Sequence, residues 1–357
     1  MPHDASHDGA AGAGAGATCH TLNLALQGGG SHGAFTWGVL DALLENGVCH
    51  IDGISGTSAG AMNAAVVAHG FARAAAQNLE DAEEAHRCGC TFARLALRDF
   101  WEAVGTLGVF LSASTSPSQV ALQWMPWLRP FFAAQFSPAQ INPMDINPLR
   151  SILKRIVDFS LLREYQQHPL VPRLFICATN VRTGRGKVFR GGEVSLDALM
   201  ASACLPQLFN PVQIDDEYYW DGGFSGNPAL YPLIYHTQTD DVLLVQINPI
   251  ETRAIPRTLS EIQERINAVT FNAGLLSELR AIEFVKRLRE QGRLEQDRYK
   301  AVRMHRIDGG SYLEQFGADS KTRADIGFLQ RLFAQGRASA QDWLDRHGQD
   351  IGVRATM

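Results

Sequence analysis

The apolar residues change period several times along the chain, and each change marks an element. Leu22, Leu24 and Leu26 alternate while Ala25 keeps the other face apolar, the pattern of a doubly buried strand, with order beginning near Thr21. Gln27 to Gly33 is a glycine loop. Phe35, Val39, Leu40 and Leu43 then recur at helical spacing up to a stop at Asn46-Gly47. A second strand, His50 to Ser55, enters Gly56-Thr57-Ser58-Ala59-Gly60 and an Ala-rich helix to about Gln77. Two strand–loop–helix units in succession predict a parallel α/β sheet.

Further along, a helix is expected near Leu149 and strands over Leu174–Ala178 and Asp241–Ile247, with a turn at Thr183–Gly186. Beyond Pro256, Ile262, Ile266, Val269, Leu276, Leu279, Ile282 and Val285 gather on one face of a long amphipathic helix. The pattern divides the chain into a Gly/Ala-rich leader over 1–20, a main domain over 21–250 and a mainly helical C-terminal extension over 251–357. Within the main domain, residues 92–148 read as an aromatic-rich insertion carrying Trp101, Phe110, Trp124, Trp127, Phe131, Phe132 and Phe136. Two readings of that insertion stand side by side: a mobile cover over the active site, or a permanently packed helical subdomain.

Composition narrows the function classes. With 357 residues and 45% hydrophobic content the chain has ample material for a core. A formal net charge of −5 points away from nucleic acid as a partner. No apolar run approaches a membrane span, and the polar, acidic N-terminus lacks the basic-then-apolar order of a signal peptide. The six cysteines are scattered, and Cys88-Gly89-Cys90 has the wrong spacing for a zinc knuckle. A reducing compartment, the cytoplasm, fits best.

Three motifs carry candidate chemistry. Gly28-Gly29-Gly30-Ser31-His32-Gly33 satisfies the dinucleotide fingerprint G-x-G-x-x-G, and Asp52 stands where a ribose-binding acid would. The physics is broader than nucleotides: such a loop aims backbone N–H groups at an anion, which can equally be a tetrahedral oxyanion. Gly56-Thr57-Ser58-Ala59-Gly60 has the G-x-S-x-G spacing in the strand–turn–helix setting of a nucleophile elbow, where small neighbours lift the Ser58 hydroxyl clear of the sheet. Asp221-Gly222-Gly223, after an apolar strand, offers a carboxylate that can serve the serine directly as base. Only one clear strand precedes the elbow, so an α/β-hydrolase layout does not fit. His236, His305 and His347 sit outside any motif.

Together the motifs resemble the patatin-like phospholipase family, bacterial members in particular. The run Ala201-Ser202-Ala203-Cys204-Leu205-Pro206, the segment Phe209-Asn210-Pro211, and Arg265-Ile266-Asn267 with Phe271-Asn272 add to the resemblance. It implies a three-layer α/β/α fold with a mostly parallel central sheet. It also implies a lipid acyl hydrolase that cleaves carboxylic esters of phospholipids or related acyl esters. By position, Ser58 is the nucleophile, Asp221 its partner, and Gly28, Gly29 and Gly30 the oxyanion hole. Gly33, Gly56, Gly60, Gly222 and Gly223 support the turns. The chemistry implied needs neither cofactor nor metal, and the partners implied are lipid substrate and transient contact with membrane surfaces or lipid aggregates. Two positions depart from the family pattern: His32 replaces the common arginine and Gln27 the common aspartate. Two rival readings remain: a non-catalytic lipid-binding protein of the same fold, and a dinucleotide-binding oxidoreductase using Gly28–Gly33.

Overall fold

A computed structural model describes residues 20–47, 49–113, 147–252, 255–295 and 298–357. The chain opens with β1 (His20–Leu26), α1 (Gly33–Asn46), β2 (Cys49–Thr57), α2 (Ala59–Ala75) and α3 (Ala82–Ala113). It continues through α4 (Pro148–Ile156), α5 (Phe159–Tyr165), β3 (Arg173–Asn180), β4 (Gly186–Arg190), α6 (Leu196–Ser202), β5 (Val212–Ile214) and β6 (Glu217–Asp221). The remainder is α7 (Tyr231–His236), β7 (Asp241–Gln246), α8 (Leu259–Glu290), β8 (Arg303–Asp308), α9 (Gly310–Glu314) and α10 (Ile326–His347).

The boundaries follow local chemistry. Gly47 ends α1 in the left-handed conformation, φ 66°, with its N–H on the Leu43 carbonyl. Asn147 caps α4 ahead of Pro148, and Thr258 and Glu261 form a capping box at the start of α8.

The strands form one sheet in the order β5-β6-β3-β2-β1-β7-β8, with β4 also on β3. Pairing is parallel from β3 through β8 and antiparallel for β4, β5 and β6. Period-2 alternation divides the strands between two helical layers. Leu22, Leu24, Leu26, Leu174, Ile176, Leu243 and Val245 enter the larger core, while Ala25, Phe175, Val242 and Leu244 enter a smaller one under α7 and α8. The result is the expected three-layer α/β/α arrangement with a mostly parallel sheet.

Three features refine the pattern-based reading. First, α3 runs unbroken through Phe92, and its Phe100 and Trp101 are buried against α1 and α2. Aromatic content marks a packed helix there, because large rings were needed to fill the space beside the Ala-rich α2. Trp124, Trp127, Phe131, Phe132 and Phe136, the side chain of Phe110, and the leader up to residue 19 lie outside the described residues. Second, the segment after 250 contributes β8 to the sheet and α10 to the main core, where Phe328, Leu329 and Leu332 are buried. Third, only the C-terminal half of α8 packs on the sheet, through Leu275, Leu279 and Ile282. Ile262, Ile266 and Val269 are exposed. No described helix is long and apolar enough to cross a membrane.

Candidate active site

The site begins with the ends of three strands. On β3, Cys177 pairs with Thr57 of β2, and the next residue, Ala178, pairs with Asp221 of β6. Strand β4 overlaps both partners on β3, so β2 and β6 must share its other edge, one taking over where the other stops. Ser58, the residue after Thr57, is thereby delivered to Asp221 across more than 160 positions of sequence. The Ser58 side chain lies close enough to the Asp221 carboxyl to favour its ionised form.

Ser58 has φ 53° and ψ −122°, a strained conformation for a residue with a side chain. Tight packing holds it there. A Cβ at Gly60 would stand 2.2 Å from the Leu26 carbonyl oxygen, and one at Gly56 would stand 2.6 Å from the Gly60 carbonyl oxygen. Only glycines permit that turn. The Ser58 N–H donates to Ser202 Oγ (2.9 Å), whose hydroxyl donates to the Cys177 carbonyl (2.6 Å). Ser58 is also the residue that starts α2, so the positive end of that helix lies beside its oxygen.

Asp221 is 1% exposed and accepts from the Gly223 N–H at 2.7 Å. Burial pushes its carboxyl up to about 7, against the opposing pull of the Gly223 N–H and the Ser58 side chain. The neighbouring Cys177 thiol is pushed up to about 12 by burial and stays protonated.

The glycine loop lies directly against the serine: a Cβ at Gly28 would be 2.7 Å from Ser58 Cβ. The Gly28 N–H is already engaged, donating to Asn227 Oδ1 at 2.7 Å. Among the described residues nothing accepts from the N–H of Gly29 or Gly30. Behind the loop, Gln27 is fully buried. Its Oε1 accepts from the N–H groups of Ile247 and Asn248 (both 2.9 Å), and its Nε2 donates to the Asn227 carbonyl and Asn272 Oδ1 (both 3.2 Å). An aspartate could accept those two N–H bonds but could not make the two donations, so the glutamine joins the loops after β1, β6 and β7 and the helix α8.

His32 does not reach Ser58's partner. The Ser320 hydroxyl donates to the Gly317 carbonyl (2.5 Å), so His32 Nε2 carries a proton and donates to Ser320 Oγ (2.7 Å). Burial first, and the charge of Lys321 second, lower its imidazole to about 4, so it is neutral. Lys321 donates to Asn248 Oδ1 (2.7 Å), and its carbonyl packs on Gly30. Segment Ala318–Thr322 thus braces the loop where the family's arginine is missing.

Other sequence candidates go elsewhere. Asp52 accepts from the N–H groups of Gln238 and Thr239 at the opposite end of β2. His305 lies between Asp241 (3.0 Å) and Thr356 (3.0 Å), His236 is held by Arg190 (2.6 Å), and His347 pairs with Asp350 (3.0 Å). The side chains that sequence motifs did not single out are Ser202, Asn227, Asn248 and Lys321. The first two had a signal, since Ser202 lies in the Ala201–Pro206 run and Asn227 in the Asn-Pro pair after Asp221. Lys321 had none.

The sequence model of the patatin-like phospholipase family matches residues 24–234, from within β1 to within α7. The chain belongs to that family. A search of curated proteins finds no match. Among solved structures, VipD from Legionella pneumophila is similar over 92% of this chain and 67% of its own, at 16% identity and a TM-score of 0.42. Membership brings lipid acyl hydrolysis as the broad activity of this patatin-like chain, and a lipid as its substrate class.

Proposed function

We propose that this patatin-like protein hydrolyses carboxylic esters of phospholipids or related lipids through a Ser58–Asp221 dyad. One observation carries the reading: sheet pairing sets the strained Ser58 beside a buried carboxyl, that of Asp221, whose pKa is raised to about 7. A base poised near neutrality suits proton transfer better than an ordinary carboxylate, which is too weak an acceptor. Ser58 Oγ attacks the acyl carbonyl as its proton passes to Asp221. The tetrahedral anion takes hydrogen bonds from the Gly29 and Gly30 N–H groups, helped by the adjacent start of α2. Gly28, whose N–H is held by Asn227, shapes the cradle instead of donating. Collapse passes the proton from Asp221 to the leaving alcohol and leaves acyl-Ser58. Asp221 then activates water, which releases the fatty acid. The backbone supplies the electrophile, so this scheme calls on no metal.

A serine-directed fluorophosphonate probe, followed by peptide mapping, tests the nucleophile. Labelling is expected at Ser58 alone, and labelling that persists in Ser58→Ala would refute the assignment. A panel of lipid esters run on both proteins separates the dyad enzyme from a non-catalytic lipid-binding protein. Turnover should vanish with Ser58 while lipid binding remains.

A further inference from the structure

A cluster of positive charge lies at the far end of the sheet from Ser58. Arg173 pairs with Gly53, four positions before the Cys177–Thr57 pair, which places it about 13 Å along the strand from the elbow. There a cavity of about 340 Å³ is lined by Arg163, Arg173, Arg190 and His236, with no carboxylate among its lining residues. Its floor includes the apolar side chains of Phe175 and Val194.

Arg173 and Arg190 are poorly compensated. Arg190 Nη1 donates to His236 Nε2 at 2.6 Å, a guanidinium spent on a neutral imidazole. Arg173 Nη1 donates to the His236 carbonyl at 2.7 Å and has Asp52 at 3.4 Å, but Asp52 already accepts two backbone N–H groups. His236 is fixed by stacking on Phe175, with ring centroids 6.0 Å apart. A chain with net charge −5 thus keeps three guanidiniums around one concavity.

We propose that this cavity is a second, non-catalytic site for a small phosphate-bearing anion, held by Arg163, Arg173 and Arg190. Guanidinium forks match the oxygens of a phosphate, and three of them offer more charge and more donors than a single carboxylate can use. The apolar floor excludes water beneath the ion and strengthens each contact. The imidazole gives the site a proton response. Burial, then the charges of Arg190 and Arg173, hold His236 below its ordinary value, and those two are the charged groups that face it. An anion between the arginines reverses that field, so His236 takes a proton from solvent and turns from acceptor to donor.

The inference does not depend on the dyad. Calorimetric titration of the full chain with inorganic phosphate, at fixed ionic strength, should give saturable binding at one site. Arg190→Gln and Arg173→Gln should each weaken it about tenfold, the loss of one charge-assisted contact. Ester hydrolysis measured without phosphate should be unchanged in Arg190→Gln, and the His236 proton resonance should titrate at higher pH once phosphate is present. Glycerol 3-phosphate and vesicles of phosphatidylcholine with and without phosphatidic acid identify the source. Arginine-dependent binding of the soluble ester alone assigns a free phosphate compound, and arginine-dependent binding of the acidic vesicles assigns a lipid head group. No saturable phosphate binding, or binding that survives Arg173→Gln combined with Arg190→Gln, would overturn the site.

Discussion

Asn227 clasps the backbone of Gly28 with both ends of its amide. The Gly28 N–H donates to Oδ1 at 2.7 Å, and Nδ2 donates to the Gly28 carbonyl at 3.3 Å. The loop that follows Asp221 is thereby tied to the loop proposed to hold the oxyanion, although the two lie 199 residues apart. Asn227→Ala leaves the buried Gly28 N–H without a partner, at about 1–3 kcal/mol, while Asn248 Nδ2 still donates to the Gly28 carbonyl at 2.6 Å. Thermal unfolding should register that loss, and kcat should fall more than KM changes, because the loop contacts only the reacting carbonyl. A variant with full kcat would show that the clasp is dispensable.

Asp221 should impose the pH profile. A dyad base with its carboxyl at about 7 must be ionised to act, so kcat/KM rises about tenfold per pH unit below 6 and levels off above 8. A profile already flat from pH 5 upward would mean that the carboxyl is not raised.

The same shift has a stability consequence of opposite sign to the usual aspartate. The folded pKa lies above the unfolded 3.8, so the protonated form is favoured by folding and that contribution disappears as pH rises through 4 to 7. Above pH 7 the buried charge costs on the order of 4 kcal/mol. Asp221→Asn should therefore unfold at a higher temperature than the wild type at pH 8, with little difference at pH 4. Turnover should drop by roughly 10²–10⁴-fold. Calorimetry at both pH values, beside a lipid ester assay, reads the two effects separately.

Ser202 should act on Ser58 from behind. Its hydroxyl links the Ser58 N–H to the Cys177 carbonyl, so Ser202→Ala unties the elbow from β3 without touching substrate. Slower fluorophosphonate labelling of Ser58 is expected, by about tenfold or more, with lipid binding retained. Unchanged labelling would show that the elbow is held by its glycines alone.

Trp101 is 3% exposed, and its indole N–H donates to Asn63 Oδ1 at 2.9 Å. Asn63 in turn donates to the Gly33 carbonyl at 3.0 Å, so the indole helps hold the start of α1. The emission of a variant keeping only this tryptophan should not shift as lipid micelles form. A shift would return Trp101 to a moving cover.

Much of the site was legible in sequence because its parts are local. The turn at Gly56–Gly60 needs small residues within one loop, and the strands on either side announce themselves by period. The glycine stop at Gly47 and the paired strand–loop–helix units are short-range effects of the same kind. What the pattern left open was partnership. Asp52 and Asp221 were both acidic residues at plausible places, and only sheet pairing sends one to the far end of β2 and the other to Ser58. His305, His236 and His347 were equally open until Asp241, Arg190 and Asp350 took them.

By itself, then, the sequence determined the α/β class, the elbow, the glycine loop and the Asp-Gly-Gly turn, since each rests on contacts a few residues long. Tertiary structure alone decided that β6 takes over the edge of β3 where β2 ends, and that Asn227 spends the Gly28 N–H. It also decided that Ser320 and Lys321 come back from the C-terminal region to brace His32 and the glycine loop, and that Ile262, Ile266 and Val269 face outward. These outcomes depend on which distant surfaces bury one another, and no periodicity within a single segment records its partner.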